Sequence, residues 1–135
     1  MSTLQNCKIL SIPKIEDPRG NLSVIENNVI PFQIKRVYYL YDVPSGAERG
    51  GHSHKEQQEF LVALSGSFDV ILNDGKEVKT ITLNKPFEGL LIMNGIWREL
   101  KNFSSGAVCL VIASDVFEEA DYIREFDEFL AISAK

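Results

Sequence analysis

Apolar positions along this chain recur mainly at an interval of two. Val78-Lys79-Thr80-Ile81-Thr82-Leu83 alternates cleanly, the pattern of a half-buried strand. Asn21-Leu22-Ser23-Val24-Ile25-Glu26 alternates in the same way, and the aromatic and β-branched run at 35–42 is long enough for a central strand. Residues 60–64 and 67–72 predict two strands around Ser65-Gly66, and Asn73-Asp74-Gly75 is a hairpin signal. Residues 4–12 form a short β-like segment ended by Pro13, Asp17-Pro18-Arg19-Gly20 a turn, and 27–31 a further turn or loop. Segments 90–93, 96–100 and 107–113 complete the series. Short strands parted by turn signals, with no long helical pattern between them, predict an all-β sandwich or barrel. Only the tail departs. From Phe117 to Leu130 the residues Tyr122, Ile123, Phe126, Phe129 and Leu130 recur at helical spacing, predicting a short C-terminal helix. No repeat or linker interrupts residues 1–135, which read as one domain large enough for a core.

Polar chemistry concentrates between Gly46 and Gly66. Both histidines of the protein lie there, as His52-Ser53-His54. In an extended segment they project to one face, with Ser53 turned away. Glu59 opens the next apolar run, and Gly46, Gly50, Gly51 and Gly66 give the segment backbone freedom. The spacing G-x5-H-x-H-x4-E-x6-G resembles the first motif of the cupin superfamily of small β-barrels, matching every fixed position. Two readings follow: His52, His54 and Glu59 hold a metal, or the histidines move protons without one.

Composition narrows the partners. With 44% hydrophobic and 24% charged residues the chain has the make-up of a soluble globular protein. A net charge of −5 argues against a general nucleic-acid surface while leaving room for a local nucleotide-diphosphate site. Cys7 and Cys109 lack metal-type spacing and no signal peptide pattern precedes them, which points to the reducing cytoplasm. No apolar run reaches the roughly 18 residues of a membrane helix.

Metal-binding cupins bring a further histidine from a second motif, roughly G-x5-P-x-G-x2-H-x3-N. The corresponding stretch, from Gly89 to Leu100, has none, and no histidine follows His54. Arg98 within it is a cation and no ordinary ligand. His52, His54 and Glu59 could still form an open facial site for iron or manganese. A neighbouring arginine favours an anionic ligand instead, unless Arg98 is simply a surface charge on an edge strand.

Longer stretches narrow the resemblance. Asp17-Pro18-Arg19-Gly20-Asn21-Leu22, Ile30-Pro31-Phe32-Gln33-Ile34-Lys35-Arg36-Val37-Tyr38-Tyr39, Arg49-Gly50-Gly51-His52-Ser53-His54-Lys55 and Ser114-Asp115 with Asp121-Tyr122-Ile123-Arg124 resemble the sugar 3,4-ketoisomerases, which act on dTDP-4-keto-6-deoxy-D-glucose. The similarity runs from about Lys8 to Leu130, and R-G-x-H-x-H-K is its most specific part. It implies a jelly-roll, cupin-like β-barrel subunit that needs no metal or other cofactor. It also implies a homodimer exchanging N-terminal strands, and a part in making 3-amino or 3-acylamino deoxysugars for lipopolysaccharide or S-layer glycans. The family's paired histidines fall on His52 and His54, and its Arg and Tyr residues on Arg36, Tyr38, Tyr39 and Arg49. Many relatives carry Trp-His-Glu where this chain has Trp97-Arg98-Glu99, and Gln in place of Glu59.

Moving a carbonyl from C4 to C3 removes the proton on C3, passes through an enediol or enediolate, and returns a proton to C4. A base with a pKa near 7 suits the task, which favours histidine. His54, at the inner end of the pair, is the expected base, with His52 orienting it or carrying the second proton. Tyrosine hydroxyls or an arginine steady the oxyanion, and Tyr39 and Arg49 are expected to orient the hexose or bind diphosphate. Arg36, Tyr38, Lys55, Trp97, Arg98 and Glu99 complete the expected substrate contacts. Trp97 either stacks on thymine or packs in the core, as the tyrosines also could, while Arg49 and Lys55 either hold diphosphate or form a solvated charged face. Two other functions share these residues: a metal-dependent cupin dioxygenase or isomerase, and a non-catalytic sugar-binding cupin.

Overall fold

The structure is a computed structural model that describes residues 2–26 and 28–135. Two five-stranded antiparallel sheets carry the fold. The first runs β1 (Lys8–Ser11), β9 (Glu88–Ile92), β6 (Glu59–Ser65), β11 (Val108–Ala113), β4 (Arg36–Leu40). The second runs β12 (Tyr122–Ile123), β5 (Arg49–His54), β10 (Trp97–Lys101), β7 (Phe68–Asn73), β8 (Val78–Leu83). β2 (Lys14–Ile15) and β3 (Leu22–Ser23) form a small separate hairpin. The chain is thus all-β and cupin-like. Among the described residues no ladder joins the two large sheets, so the expected barrel is an open sandwich.

Alternation decides what each strand shows to the core. Along β7, Phe68, Val70 and Leu72 are buried while the residues between them are half-buried. With Leu100 they meet Leu61, Ala63, Leu90, Ile92, Cys109 and Val111 of the first sheet. The unbroken apolar run at 60–64 has a different cause: β6 is covered on both faces. Its Phe60 and Val62 join Leu91 and Ile112 on the outer side, beneath Ile12, Ile30 and the half-buried Ile25, Val29, Phe32 and Ile34. This cover explains why the strand expected at 21–26 shrinks to β3: Ile25 leaves the hairpin to pack on the sheet. Of the turn expected at 27–31, Asn27 lies outside the described residues.

The tail differs most from expectation. Instead of one helix over 117–130, the chain makes a 3-10 turn (Glu119–Asp121), β12, and then α1 (Phe126–Ser133). Tyr122 and Ile123 pair antiparallel with His54 and Ser53. Backbone hydrogen bonding to β5 there overrides the helical spacing of the side chains. Ile123 then packs with Trp97 and Phe129 beneath α1, on the outer face of the second sheet. No helix among the described residues is long and apolar enough to cross a membrane.

Gly89 shows how tightly the outer face of β6 is filled. A Cβ there would collide with the fully buried ring of Phe60. Gly89→Ala is therefore expected to cost about 1–3 kcal/mol in urea unfolding. Adding Phe60→Leu should recover part of that loss, giving non-additive energies.

Candidate active site

Between the sheets, at one end, lies a cavity of about 400 Å3. Strand alternation selects its lining. On β4, Arg36, Tyr38 and Leu40 face inward and Tyr39 outward, with Val37 at the cavity's edge; on β10, Arg98 and Leu100 face inward. β5 contributes both His52 and Arg49, which lie three residues apart and would point to opposite faces of a regular strand. A bulge resolves this. Arg98 pairs with His52 but Leu100 with Arg49, so β5 carries one extra residue, and Gly50 takes up the left-handed turn at φ +81°. Glu59, Tyr122 and Arg124 complete the polar wall.

The histidines form the centre of a hydrogen-bonded chain. Nε2 of His52 and Nε2 of His54 are 3.1 Å apart, and His54 Nδ1 lies 3.0 Å from Asp121 Oδ2. Asp121 is itself clamped: its Oδ1 accepts the backbone N–H of Glu56 at 2.7 Å and its Oδ2 that of Gln57 at 3.3 Å. The Tyr122 ring packs against both imidazoles, at 4.4 and 5.1 Å between centroids. His52 touches the cavity, whereas His54 is fully buried behind it.

A second network forms the cavity floor. Glu59 and Arg98, each 2% exposed, make a salt bridge through Oε1 and Nη1. Glu59 Oε2 accepts from the Tyr38 hydroxyl at 2.8 Å and from Gln57 Nε2 at 2.9 Å. Arg98 donates its remaining fork to the carbonyl of Ile96, from Nε at 3.2 Å and Nη2 at 3.0 Å. Burial, then the neighbouring Glu59 carboxylate, push the Tyr38 phenol well above its ordinary range, so it stays a donor.

Burial also dominates the histidines. It is reinforced for both by the cationic Arg98 and Arg124, for His54 also by Arg36, and for His52 by His54, and it lowers each imidazole to about 2. Both are neutral at pH 7. Arg98 and Arg124 have carboxylate partners, Glu59 and Glu119. Among the described residues Arg36 and Arg49 have none within 4.0 Å. Arg36 donates only to the Tyr122 hydroxyl, at 3.2 Å, and its buried Nε has no partner. Two guanidiniums thus remain free to meet an anion.

The fold brings together Arg36, Tyr38, Arg49, His52, His54 and Arg98 of the expected residues. It does not bring in the other four. Tyr39 is 59% exposed on the outer face of β4. Lys55 lies past the end of β5 and is exposed. Trp97 packs edge-on against Phe126 and against Phe129, and donates to Glu99 Oε2 at 2.8 Å, so both sit on the far face of β10 from Arg98. Asp121, Tyr122, Arg124 and Gln57 were not singled out as site residues, although three of them stand in Asp121-Tyr122-Ile123-Arg124, the stretch the resemblance rests on. Their apolar neighbours at helical spacing hid a strand.

His52, His54 and Glu59 place one ligand atom each within 4.8 Å of one another, the spacing a metal would need. The set fits a cation poorly. Both Glu59 oxygens are already taken by an arginine, a phenol and an amide, and the guanidinium adds positive charge beside the site.

Fold and site together make the chain a two-sheet cupin with a buried imidazole pair and two guanidiniums without carboxylate partners among the described residues, and comparison with known proteins narrows the class. The family described as FdtA, WxcM-like, C-terminal, matches residues 5–134. The TDP-4-oxo-6-deoxy-alpha-D-glucose-3,4-oxoisomerase of Aneurinibacillus thermoaerophilus is 46% identical over 129 residues, 95% of this chain and 93% of that protein. The TDP-quinovose 3,4-ketoisomerase of Campylobacter jejuni is 52% identical with a TM-score of 0.90, over 94% of this chain and 98% of the other. A mutant 3,4-ketoisomerase of Thermoanaerobacterium thermosaccharolyticum in complex with TDP-4-keto-6-deoxyglucose is 40% identical with a TM-score of 0.95, over 97% and 96%. The chain belongs to this WxcM-like family.

The depressed histidines have a consequence for stability. Unfolded, each imidazole binds a proton below about pH 6.5, whereas folded it stays neutral far lower. The unfolded chain therefore gains protons first. The stabilisation is fully present above pH 6.5 and is lost progressively as the pH falls below it. The melting temperature is expected to drop between pH 7.5 and 5, and to drop less when both histidines are replaced by asparagine.

Proposed function

We propose that this protein is a nucleotide-sugar 3,4-ketoisomerase that moves the carbonyl of dTDP-4-keto-6-deoxy-D-glucose from C4 to C3. The observation that carries the reading is one cavity lined by neutral His52, with His54 hydrogen-bonded behind it, and by two guanidiniums without carboxylate partners among the described residues, Arg36 and Arg49. The arginines suit a diphosphate and the imidazoles suit a proton moved between neighbouring carbons. The relatives named above, including one with the 4-keto sugar bound, support the choice of substrate.

In this mechanism His52, on the cavity wall, takes the C3 proton, and its electron pair enters an enediolate spanning C3 and C4. That exchanges the roles expected for the two histidines, because His54 is enclosed. Arg98, fixed by Glu59 and the Ile96 carbonyl, supplies a rigid positive field for the developing oxyanion without reorganising. The hydroxyl proton on O3 passes to O4, His52 returns a proton to C4, and the carbonyl is left at C3. No step calls for a redox partner. The product would feed 3-amino or 3-acylamino deoxysugar synthesis, and the two free, buried cysteines suit a reducing cytoplasm.

The decisive experiment incubates the protein with dTDP-4-keto-6-deoxyglucose and reads the product by NMR. The expected result is a 3-keto sugar, formed equally after chelator treatment. Binding without turnover would leave the non-catalytic reading, and activity lost to chelator and restored by one divalent ion the metal-dependent one. Removing either free arginine should act on binding: Arg36→Ala and Arg49→Ala are each expected to raise KM by about tenfold, the worth of one charge-assisted contact.

The reading extends to a homodimer with exchanged N-terminal strands, in which the partner's β1 would take the place that this chain's own β1 holds beside β9. Exposed Ile9 on β1 and exposed Ile15 and Leu22 on the β2–β3 hairpin offer apolar surface for a partner. Light scattering is expected to give twice the 15.2 kDa chain mass; a monomer mass at working concentration would refute it.

A further inference from the structure

Asp121 is the cavity neighbour whose purpose the ketoisomerase mechanism leaves open. It ends the 3-10 turn that leads into β12, and two backbone N–H groups fix its carboxylate beside His54. A carboxylate only accepts hydrogen bonds, so the nitrogen facing it at 3.0 Å, Nδ1 of His54, must carry the proton. A neutral imidazole has one N–H, which leaves His54 Nε2 bare. The 3.1 Å contact to His52 Nε2 then requires His52 to be the donor. Gln57 does not compete for that lone pair: its amide is 3.5 Å from His54 Nε2 but donates to Glu59 at 2.9 Å. His54 is thereby held as the Nδ1–H tautomer, with its Nε2 free to accept from His52.

We propose that Asp121 is a positioning residue for proton transfer, holding His54 as the Nδ1–H tautomer so that its Nε2 can relieve His52 of a proton. The inference deepens the ketoisomerase reading and rests on it for the source of the proton. When the C3–H bond breaks, its electron pair enters the enediolate and its proton goes to the ring of His52. The proton on Nε2 of His52 moves across to Nε2 of His54. His54 becomes an imidazolium between Asp121 at 3.0 Å and Glu59 at 3.7 Å, and His52 is neutral again. The reverse shift returns a proton to the sugar at C4. Atoms and charge balance within the pair and the substrate.

Long-range proton–nitrogen NMR on the full-length protein with labelled imidazoles reads the tautomer directly, with no substrate present. The expected pattern for His54 is a protonated Nδ1 and a bare Nε2. The opposite pattern would overturn the proposal and leave the ketoisomerase reading intact. In Asp121→Asn the shorter backbone bond, from the Glu56 N–H at 2.7 Å, keeps the amide oxygen, so the N–H2 faces His54 Nδ1 and the ring is expected to switch tautomer. Its kcat should fall about 100-fold or more while KM changes by less than about threefold. A folded Asp121→Asn protein that binds TDP normally and keeps the wild-type kcat also overturns the proposal. Should wild type fail to isomerise the nucleotide sugar, the ketoisomerase reading falls, and the tautomer measurement alone decides for or against the positioning of His54.

Discussion

The buried pair of Glu59 and Arg98 is the contact on which the site depends. Glu59 stands on β6 of one sheet and Arg98 on β10 of the other, so the salt bridge spans the sandwich at the cavity floor. Two charges so enclosed are expensive to desolvate, and only satisfying their remaining lone pairs and protons offsets that cost. Here Tyr38, Gln57 and the Ile96 carbonyl do so. The pair consequently fixes the positions of its neighbours. It holds Tyr38 as a donor and withdraws Glu59 from service as a metal ligand. Removing one partner would strand the other, at about 3–5 kcal/mol.

The same arrangement explains why two histidines can stay neutral inside a protein. A lone buried imidazolium beside Arg98 would be penalised by both burial and repulsion, and both effects act in the same direction on His52 and His54. Neutral rings can hydrogen-bond to each other, which two cations cannot. An anionic ligand on Arg36 would ease its repulsion of His54. The site is therefore built to become more basic as the proposed substrate binds, coupling binding to proton abstraction through charge alone.

Much of this was legible in the sequence. Strand periodicity placed β7, β8, β10 and β11 to within a residue or two, and the H-x-H spacing put both imidazoles on one face. What failed did so for definable reasons. The resemblance brings Tyr39 with Tyr38, although alternation separates neighbours on a strand to opposite faces. It brings Trp97 and Glu99 with Arg98, and the same alternation turns them away. The bulge at Gly50 reverses the argument, since Arg49 and His52 would be parted by simple alternation and are joined by one extra residue. The roles of Asp121 and Tyr122 depend on a long-range pairing, β12 with β5. Apolar spacing in the tail carries no record of that partner, and helical periodicity was the only local signal available.

The distribution of charge gives the final constraint on what can enter. The chain carries −5 overall, yet Arg36, Arg49, Arg98 and Arg124 all line one cavity. A long polyanion would meet the negative surface before it reached them, so a nucleic acid gains little from this arrangement. A small dianion sees the reverse. Low-dielectric walls focus the field of the arginines into the mouth, and the two without carboxylate partners supply the charge that a diphosphate would neutralise. Glu59 and Glu119 cancel the other two, one at the cavity floor and one at its rim. The count of free cations, rather than of arginines, is what would match the cavity to the proposed nucleotide diphosphate, with His52 on the same wall.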